Sequence, residues 1–264
     1  MRIARFSLQE TVAFGVVEFD ESMGEFDPVH AQIRPMRGHP YGELDLVDLT
    51  IPYLEVKMLA PVLPTKVIGI GKNYADHAAE MSSQVPDEPL AFLKPSTSVI
   101  GPGAAIKLPS QSERVDHEGE LAVVIGRMCR YVDAAAADQV ILGYTCGNDV
   151  TARDLQTKDG QWTRAKGFDT FCPIGPWIET DLDPSQLELT VAVNGEVRQE
   201  GNTADMVFDV ARLVEWASSV MTLLPGDVIL TGTPAGISPI VDGDHIKVTI
   251  EGIGSLDNEV VLGD

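Results

Sequence analysis

Glu118 and Glu120 stand immediately before an apolar run, Leu121-Ala122-Val123-Val124-Ile125, that has the character of a buried strand. Buried strands rarely begin with charges, because a carboxylate taken out of water needs a partner. Two positions apart on a strand, the two side chains leave from the same face. Side by side in a partly buried place they repel unless a cation or a proton lies between them. A third carboxylate, Asp149, comes after the apolar run Val140-Ile141-Leu142-Gly143-Tyr144 and just before Thr151. Three carboxylates with water completing an octahedron are the donor set of Mg²⁺ or Mn²⁺ rather than of zinc. On spacing alone, the same pattern also fits a solvated strand end carrying surface charges.

Other candidate groups lie close by in sequence. Arg153 and Gln156 follow Asp149 within two helical turns, so both can face one pocket, and the two-pronged guanidinium of Arg153 suits a planar carboxylate. His77 and Glu80 are three apart on a short helical stretch expected over residues 73–81, and therefore share a face. By spacing alone they also fit a solvated helical turn. His117, between Asp116 and Glu118, takes the opposite strand face and is read as structural support. His30, His39 and His245 belong to no motif and are assigned no role.

Positioning these groups requires a strand-rich scaffold. Strand-like runs are predicted at 67–70, 90–93, 106–109, 120–125, 140–148, 227–230 and 245–250. Runs at 187–193 and 196–199 flank Asn194-Gly195, a strong hairpin signal. One long helix is predicted over 206–223, with Val210, Leu213, Val214 and Ala217 at helical spacing and Pro225-Gly226 beyond its end. Many strands against one helix, without βαβ alternation, imply a β-rich α+β fold or a closed sheet. Residues 1–62 read as a small β-rich N-terminal domain, with a strand at 11–19 and turns marked by Gly24, Pro28, Pro35, Gly38, Pro40 and Gly42. Pro61 and Pro64 fix an extended link into the main domain, 63–264.

A net charge of −21 argues against nucleic acid or an anionic membrane as partner, since both would be repelled. No stretch reaches the roughly 18 apolar residues of a membrane span, and the first residues lack the apolar core of a secretory signal. Cys129, Cys146 and Cys172 are few, odd in number and set in apolar contexts, which points to buried thiols in a reducing compartment. A cytoplasmic protein is expected.

Five strings occur in one order: Gly71-Lys72-Asn73-Tyr74-Ala75-Asp76-His77, Phe92-Leu93-Lys94-Pro95, Asp116-His117-Glu118-Gly119-Glu120-Leu121, Gly147-Asn148-Asp149-Val150-Thr151-Ala152-Arg153-Asp154-Leu155-Gln156 and Leu230-Thr231-Gly232-Thr233-Pro234-Ala235-Gly236. Together, from about residue 64 onward, they resemble the fumarylacetoacetate hydrolase family. The resemblance implies a mixed β-sandwich roll, a homodimer, and Glu118, Glu120 and Asp149 as ligands of Mg²⁺ or Mn²⁺. It implies substrate contacts from Arg153, Gln156, Lys166 and Thr233, with Lys166 also neutralising oxyanion charge. It further implies that Glu80 orients His77 on a lid, where His77 activates water or moves a proton. The further N-terminal aspartate ligand of the larger family members has no match here, so the chain is similar to the shorter branch.

That site implies a common strategy. A small 2-oxo acid or 2-oxo dicarboxylate would chelate the metal, whose Lewis acidity stabilises an enolate. The leading expectation is C–C bond cleavage, by decarboxylation of oxaloacetate or hydrolysis of an acylpyruvate, because His77 and Glu80 can supply a base for water. The alternative is isomerisation of 2-hydroxyhepta-2,4-diene-1,7-dioate in aromatic catabolism. A reading of another class is a non-catalytic, metal-binding dimeric paralogue.

Overall fold

The strand Gly119–Ile125 is buried along its whole length because both of its faces are covered. Leu121, Val123 and Ile125 enter one apolar cluster, while Ala122 and Val124 enter another. It lies inside a 12-stranded sheet, paired antiparallel with Ile141–Asn148 on one side and Val228–Leu230 on the other. Val228–Leu230 in turn runs parallel to Val67–Gly71, and the edge strand Leu90–Lys94 completes that end. The computed structural model describes residues 1–20, 26–81 and 84–263; Gly24, one of the predicted turn positions, lies outside them.

A five-stranded sheet, ordered Glu196–Asn202, Glu188–Val193, His245–Ile250, Gly254–Leu262 and Ile106–Leu108, packs on the first. Leu189, Val191, Val248 and Leu256 of this sheet share a cluster with Leu121, Val123 and Cys146 of the larger one, which makes the sandwich. The hairpin predicted at Asn194-Gly195 is present, with φ of 53° and 81° at the two residues. Such positive values are those of a tight hairpin turn.

The N-terminal strands lengthen the large sheet. Arg2–Leu8 pairs with Cys172–Glu179, and Thr11–Glu18, Gln32–Met36 and Ile51–Pro52 follow outward. The sheet's end strands, Ile51–Pro52 and Leu90–Lys94, do not pair with each other. Among the described residues the sheet is therefore open, and the closed-sheet alternative is corrected: the N-terminal strands carry the sheet away from its far edge.

The predicted helix at 206–223 is shorter than expected, spanning Val210–Val220. Asp209 caps it by accepting from the backbone N–H of Arg212 at 2.8 Å. Residues 206–208 stay outside the helix instead, since Met206 bridges to Tyr74, Val207 N–H donates to Asn73 O and Phe208 N–H to Asn73 Oδ1, both at 2.8 Å. Helical spacing there yields to a contact with the chain beside the site. Cys129, Cys146 and Cys172 are unpaired thiols. Burial pushes the Cys172 thiol up to about 12. Among the described residues, no helix is long and apolar enough to cross a membrane.

Candidate metal centre and active site

The hairpin of Gly119–Ile125 and Ile141–Asn148 sets the carboxylates against each other. Gly119 pairs with Asn148 and Glu120 with Gly147, and one step further Asp149 N–H donates to Glu118 O at 2.8 Å. Asn148 Oδ1 accepts from Glu118 N–H at 3.0 Å and holds the strand entrance in register. Glu118, Glu120 and Asp149 thus come together with one oxygen of each within 4.8 Å of the others, all three buried. Only oxygen donors are offered, which suits a hard divalent cation such as Mg²⁺ or Mn²⁺.

Three buried cations surround the acids. Lys166 Nζ bridges Glu118 Oε2 at 2.8 Å and Asp149 Oδ2 at 2.6 Å, and it lies 4.9 Å from the centre of the Phe92 ring. Lys94 Nζ donates to Asp149 Oδ1 at 2.5 Å. Arg153 spreads its guanidinium over Glu118 Oε1 at 2.5 Å, Asp116 Oδ2 at 2.9 Å and Gln156 Oε1 at 2.7 Å. Burial pushes Glu118 up, but Lys166 and Arg153 outweigh it and hold that carboxyl below its ordinary range. Glu120 differs. Among the described residues it has no ion-pair partner, and Gly232 N–H donates to its Oε2 at 2.7 Å. Burial first, then the charges of Asp149 and Glu118, push Glu120 well above the carboxylate range. A divalent ion among the three acids would relieve that repulsion, so the residues present fit one. Fully ionised, Asp116, Glu118, Glu120 and Asp149 carry four negative charges against four from Lys94, Arg114, Arg153 and Lys166. A divalent ion would add a surplus of two, which suits an anionic ligand.

Glu118 and Glu120 open on a cavity of about 220 Å³ lined also by His77, Gln156, Lys166 and Thr233. His77, on the helix Ala75–Glu80, is buried with Nδ1 3.2 Å from Glu80 Oε2. The carboxylate accepts, so Nδ1 carries a proton and Nε2 is the ring nitrogen left to exchange one. Gln156 Oε1 is taken by Arg153, which leaves the amide N–H₂ to donate to a ligand. Thr233 is already engaged: its hydroxyl donates to Gly119 O at 2.8 Å and accepts from Gln199 Nε2 at 2.7 Å. Gly232, at φ 97°, allows this close approach, since a side chain there would meet Asn73 Cβ at 2.7 Å.

His117 lies behind the strand entrance, between Gln199 Oε1 at 2.9 Å and Ser238 Oγ at 2.8 Å. The amide oxygen can only accept, so Nδ1 carries the proton and Nε2 accepts from the serine hydroxyl. Burial lowers the His117 pKa against the opposing pull of the Gln199 hydrogen bond and of Asp116 and Glu118. The unfolded imidazole titrates near 6.5. Below that pH the unfolded chain takes up a proton that the folded chain refuses, so this contribution to stability is complete above about pH 6.5 and is lost as pH falls toward the folded value. His117→Asn should therefore show a shallower fall in melting temperature between about pH 6.5 and 5 than the parent protein. An equal slope would remove His117 from the acid response.

Three participants were not singled out from the sequence. Lys94 has a fully buried side chain although it ends an edge strand; a lone charge in the string Phe92-Leu93-Lys94-Pro95 was the available signal. Asp116 anchors Arg153 and also pairs with Arg114. Gln199 had no signal, because the contacts it makes bring together strands far apart in the chain.

Replacing Lys166 by methionine tests the electrostatic arrangement. Without its cation, Glu118 and Asp149 remain buried and less well compensated, at a cost of about 3–5 kcal/mol to the metal-free protein. Urea unfolding should show that loss, and saturating Mg²⁺ should restore part of it by binding the folded state alone. A metal-free variant as stable as the parent would contradict this arrangement.

A family model for the fumarylacetoacetate (FAA) hydrolase C-terminal domain matches residues 66–261, and a Rv2993c-like N-terminal model matches residues 1–61. The 5-carboxymethyl-2-hydroxymuconate delta-isomerase structure from Mycobacterium smegmatis superposes with a TM-score of 0.92 at 54% identity, covering 100% of both chains. The mitochondrial oxaloacetate tautomerase FAHD2A of Homo sapiens is 45% identical over 224 residues, 80% of this chain and 71% of that protein. Maleylpyruvate hydrolase from Sphingobium sp. SYK-6, solved with manganese(II) and pyruvate, gives a TM-score of 0.80 at 33% identity over 100% of both chains.

Proposed function

The chain belongs to the fumarylacetoacetate hydrolase family, and from that premise we propose that it is a divalent-metal-dependent enzyme of 2-oxo acid enolate chemistry, with proton transfer beside the ketone of oxaloacetate as its first reaction. The observation that carries this reading is the cluster of Glu118, Glu120 and Asp149, of which Glu118 and Glu120 line a cavity that His77 also lines. The relatives named as a tautomerase and an isomerase favour proton transfer as the outcome.

Mg²⁺ or Mn²⁺ held by Glu118, Glu120 and Asp149 would supply Lewis acidity toward the ketone oxygen. The Gln156 amide donates to the carboxylate next to the ketone. Lys166 lends positive charge to the oxygen that gains it when the enolate forms. His77, oriented by Glu80, takes the proton from the carbon beside the ketone and returns it to oxygen or carbon. Burial of these groups keeps competing water few.

C–C bond cleavage is the second reading, by decarboxylation of oxaloacetate or hydrolysis of an acylpyruvate. The His77–Glu80 pair favours it, because the same base can activate water, and so does the relative named as a hydrolase. A cytoplasmic location belongs to the proposal and is supported by three unpaired thiols. A homodimer belongs to it through the family resemblance.

The test uses chelator-stripped protein and oxaloacetate, with and without added Mg²⁺ or Mn²⁺. Keto–enol equilibration is followed by ultraviolet absorbance, and pyruvate by a coupled assay. Metal-restored equilibration faster than pyruvate release supports the first reading; pyruvate release at the same rate puts cleavage first. No turnover of oxaloacetate, acetylpyruvate or a 2-hydroxydienoate at full metal occupancy would leave the non-catalytic paralogue.

A further inference from the structure

The site residues described so far handle the head of a 2-oxo acid and leave its far end unaddressed. Lys72 follows the strand Val67–Gly71 and lines the cavity together with Ile70, Gly71 and Trp162. Its φ of 59° lies in the left-handed region, which side chains other than glycine seldom adopt. Of the other non-glycine residues with that backbone, Gln9 and Asn194 sit in two-residue hairpin turns, where such values are ordinary, and Tyr131 and Thr170 lie in loops that do not line the cavity. Lys72 is in no hairpin. Strained backbone of this kind persists only where neighbours over-determine it, and it gathers at functional sites.

The neighbour that holds it is Asn73. Its side-chain amide donates to Thr231 O at 2.7 Å and Phe208 O at 3.0 Å, and its Oδ1 accepts from Phe208 N–H at 2.8 Å. Asn73 is completely buried, and its carbonyl accepts from Val207 N–H. Across the strand end, a Cβ on Gly71 would come within 2.6 Å of the Trp162 indole, so the wall beside Lys72 is closely packed. The chain is thus pinned on both sides of a lysine that borders the reaction cavity.

Charge singles out the same residue. Of the three cations lining the cavity, Arg153 and Lys166 are committed to buried carboxylates, whereas half-buried Lys72 forms no ion pair or side-chain hydrogen bond among the described residues. It stays unpaired in a chain with 40 acidic residues against 19 lysines and arginines. An uncommitted ammonium held at a cavity for anions calls for an anionic partner supplied by the ligand.

We infer that Lys72 is a specificity-determining residue that pairs with the distal carboxylate of the substrate, so that the enzyme selects 2-oxo dicarboxylates over 2-oxo acids with a neutral distal group. The inference rests on the enolate reading of the site and names its substrate class. Lys72 meets the ligand away from the reacting carbon, so it acts through binding.

The test compares the parent protein with Lys72→Met and Lys72→Arg, all loaded with Mg²⁺. For oxaloacetate, Lys72→Met should lower kcat/KM roughly 10- to 100-fold through KM, with kcat within about twofold, as expected for one lost charge-assisted contact. For acetylpyruvate, whose distal group is neutral, kcat/KM should stay within about twofold, and Lys72→Arg should recover most of the oxaloacetate value. Calorimetric titration supplies a readout free of turnover: the Lys72→Met variant should bind malate correspondingly more weakly and oxalate, which has no distal group, unchanged. Equal losses for malate and oxalate, or no loss for either, overturn the role of Lys72. Parent protein that neither binds oxalate nor turns over oxaloacetate overturns the enolate reading, and the inference with it.

Discussion

Glu120→Gln should stabilise the metal-stripped protein and abolish its metal-dependent activity at the same time. Most substitutions of buried charged residues destabilise, because they strand a partner. Among the described residues Glu120 forms no ion pair that its loss would strand, and a glutamine oxygen can still accept from Gly232 N–H. What the substitution removes is a buried negative charge beside Asp149 and Glu118, the pair that helps push the Glu120 pKa up. The sign follows from linkage. A carboxyl whose folded pKa is raised holds its proton longer in the folded chain, so stability falls as pH rises from the ordinary range near 4.3 toward the folded value. Glu118, held low by Lys166 and Arg153, acts below that range, where its contribution is lost on acidification. At neutral pH the parent carries the Glu120 penalty and the glutamine variant does not. Each kcal/mol relieved should raise the melting temperature by about 2–4 °C in a chain of this size. Metal affinity should move the other way, by on the order of 100-fold or more, since even residues behind a ligand are worth 10- to 100-fold. Turnover should fall about 1,000-fold, the equivalent of some 4 kcal/mol. Scanning calorimetry with and without metal reads both effects. A variant that is less stable without metal and binds Mn²⁺ as tightly as the parent would exclude Glu120 as a ligand.

His77→Gln should separate proton transfer from metal binding. Glutamine keeps a polar side chain of similar reach but cannot serve as a base near neutral pH. General acid–base catalysis by one residue is worth about 10²- to 10⁴-fold, so kcat should fall by that factor while Mn²⁺ affinity stays within about twofold. Glu80→Gln should fall between the two, because it leaves the base in place and loses the charge that orients it; Glu80 Oε1 also accepts from Gly236 N–H at 3.1 Å and ties the short helix to the loop carrying Thr233. The measurement is oxaloacetate turnover at saturating metal, with metal affinity taken from calorimetry. Undiminished turnover in His77→Gln would take the proton away from His77 and pass it to Lys166 or to solvent.

The carboxylate cluster was legible in the sequence because its signal is local. A charge pair at the entrance of a buried strand needs an explanation, and Asp149 directly follows the neighbouring strand Ile141–Asn148. The Asn194-Gly195 hairpin was legible for the same reason. What stayed hidden depends on contacts made across the fold. Lys94 reads as a strand-end lysine destined for solvent, yet its partner Asp149 lies 55 residues away and draws it inside. The strand Cys172–Glu179 contains Pro173 and Pro176, which speak against a sheet interior, and it is nonetheless buried throughout. Its ladder with Ile141–Asn148 shifts register between Tyr144 and Cys146, an irregularity that no single-strand pattern encodes. The long helix starts later than its periodicity predicts because Asn73, far away in sequence, takes the backbone N–H groups of Val207 and Phe208. The Thr233 hydroxyl donates to Gly119 O, with Gln199 behind it, a pairing across the fold that its turn sequence does not encode. Its remaining acceptor site suits a ligand hydroxyl, such as that of an enol, better than a carboxylate.

Enolate formation can be observed apart from whether a bond is then broken. Pyruvate in D₂O, incubated with Mg²⁺-loaded protein, exchanges its methyl hydrogens only as fast as its enolate forms, and proton NMR follows the loss of the methyl signal. The account predicts exchange well above that of Mg²⁺ alone, abolished by chelator and reduced to background in Glu120→Gln. Exchange no faster than with free Mg²⁺, from protein shown by calorimetry to hold its metal, would contradict an enolate-forming site built on Glu118, Glu120 and Asp149.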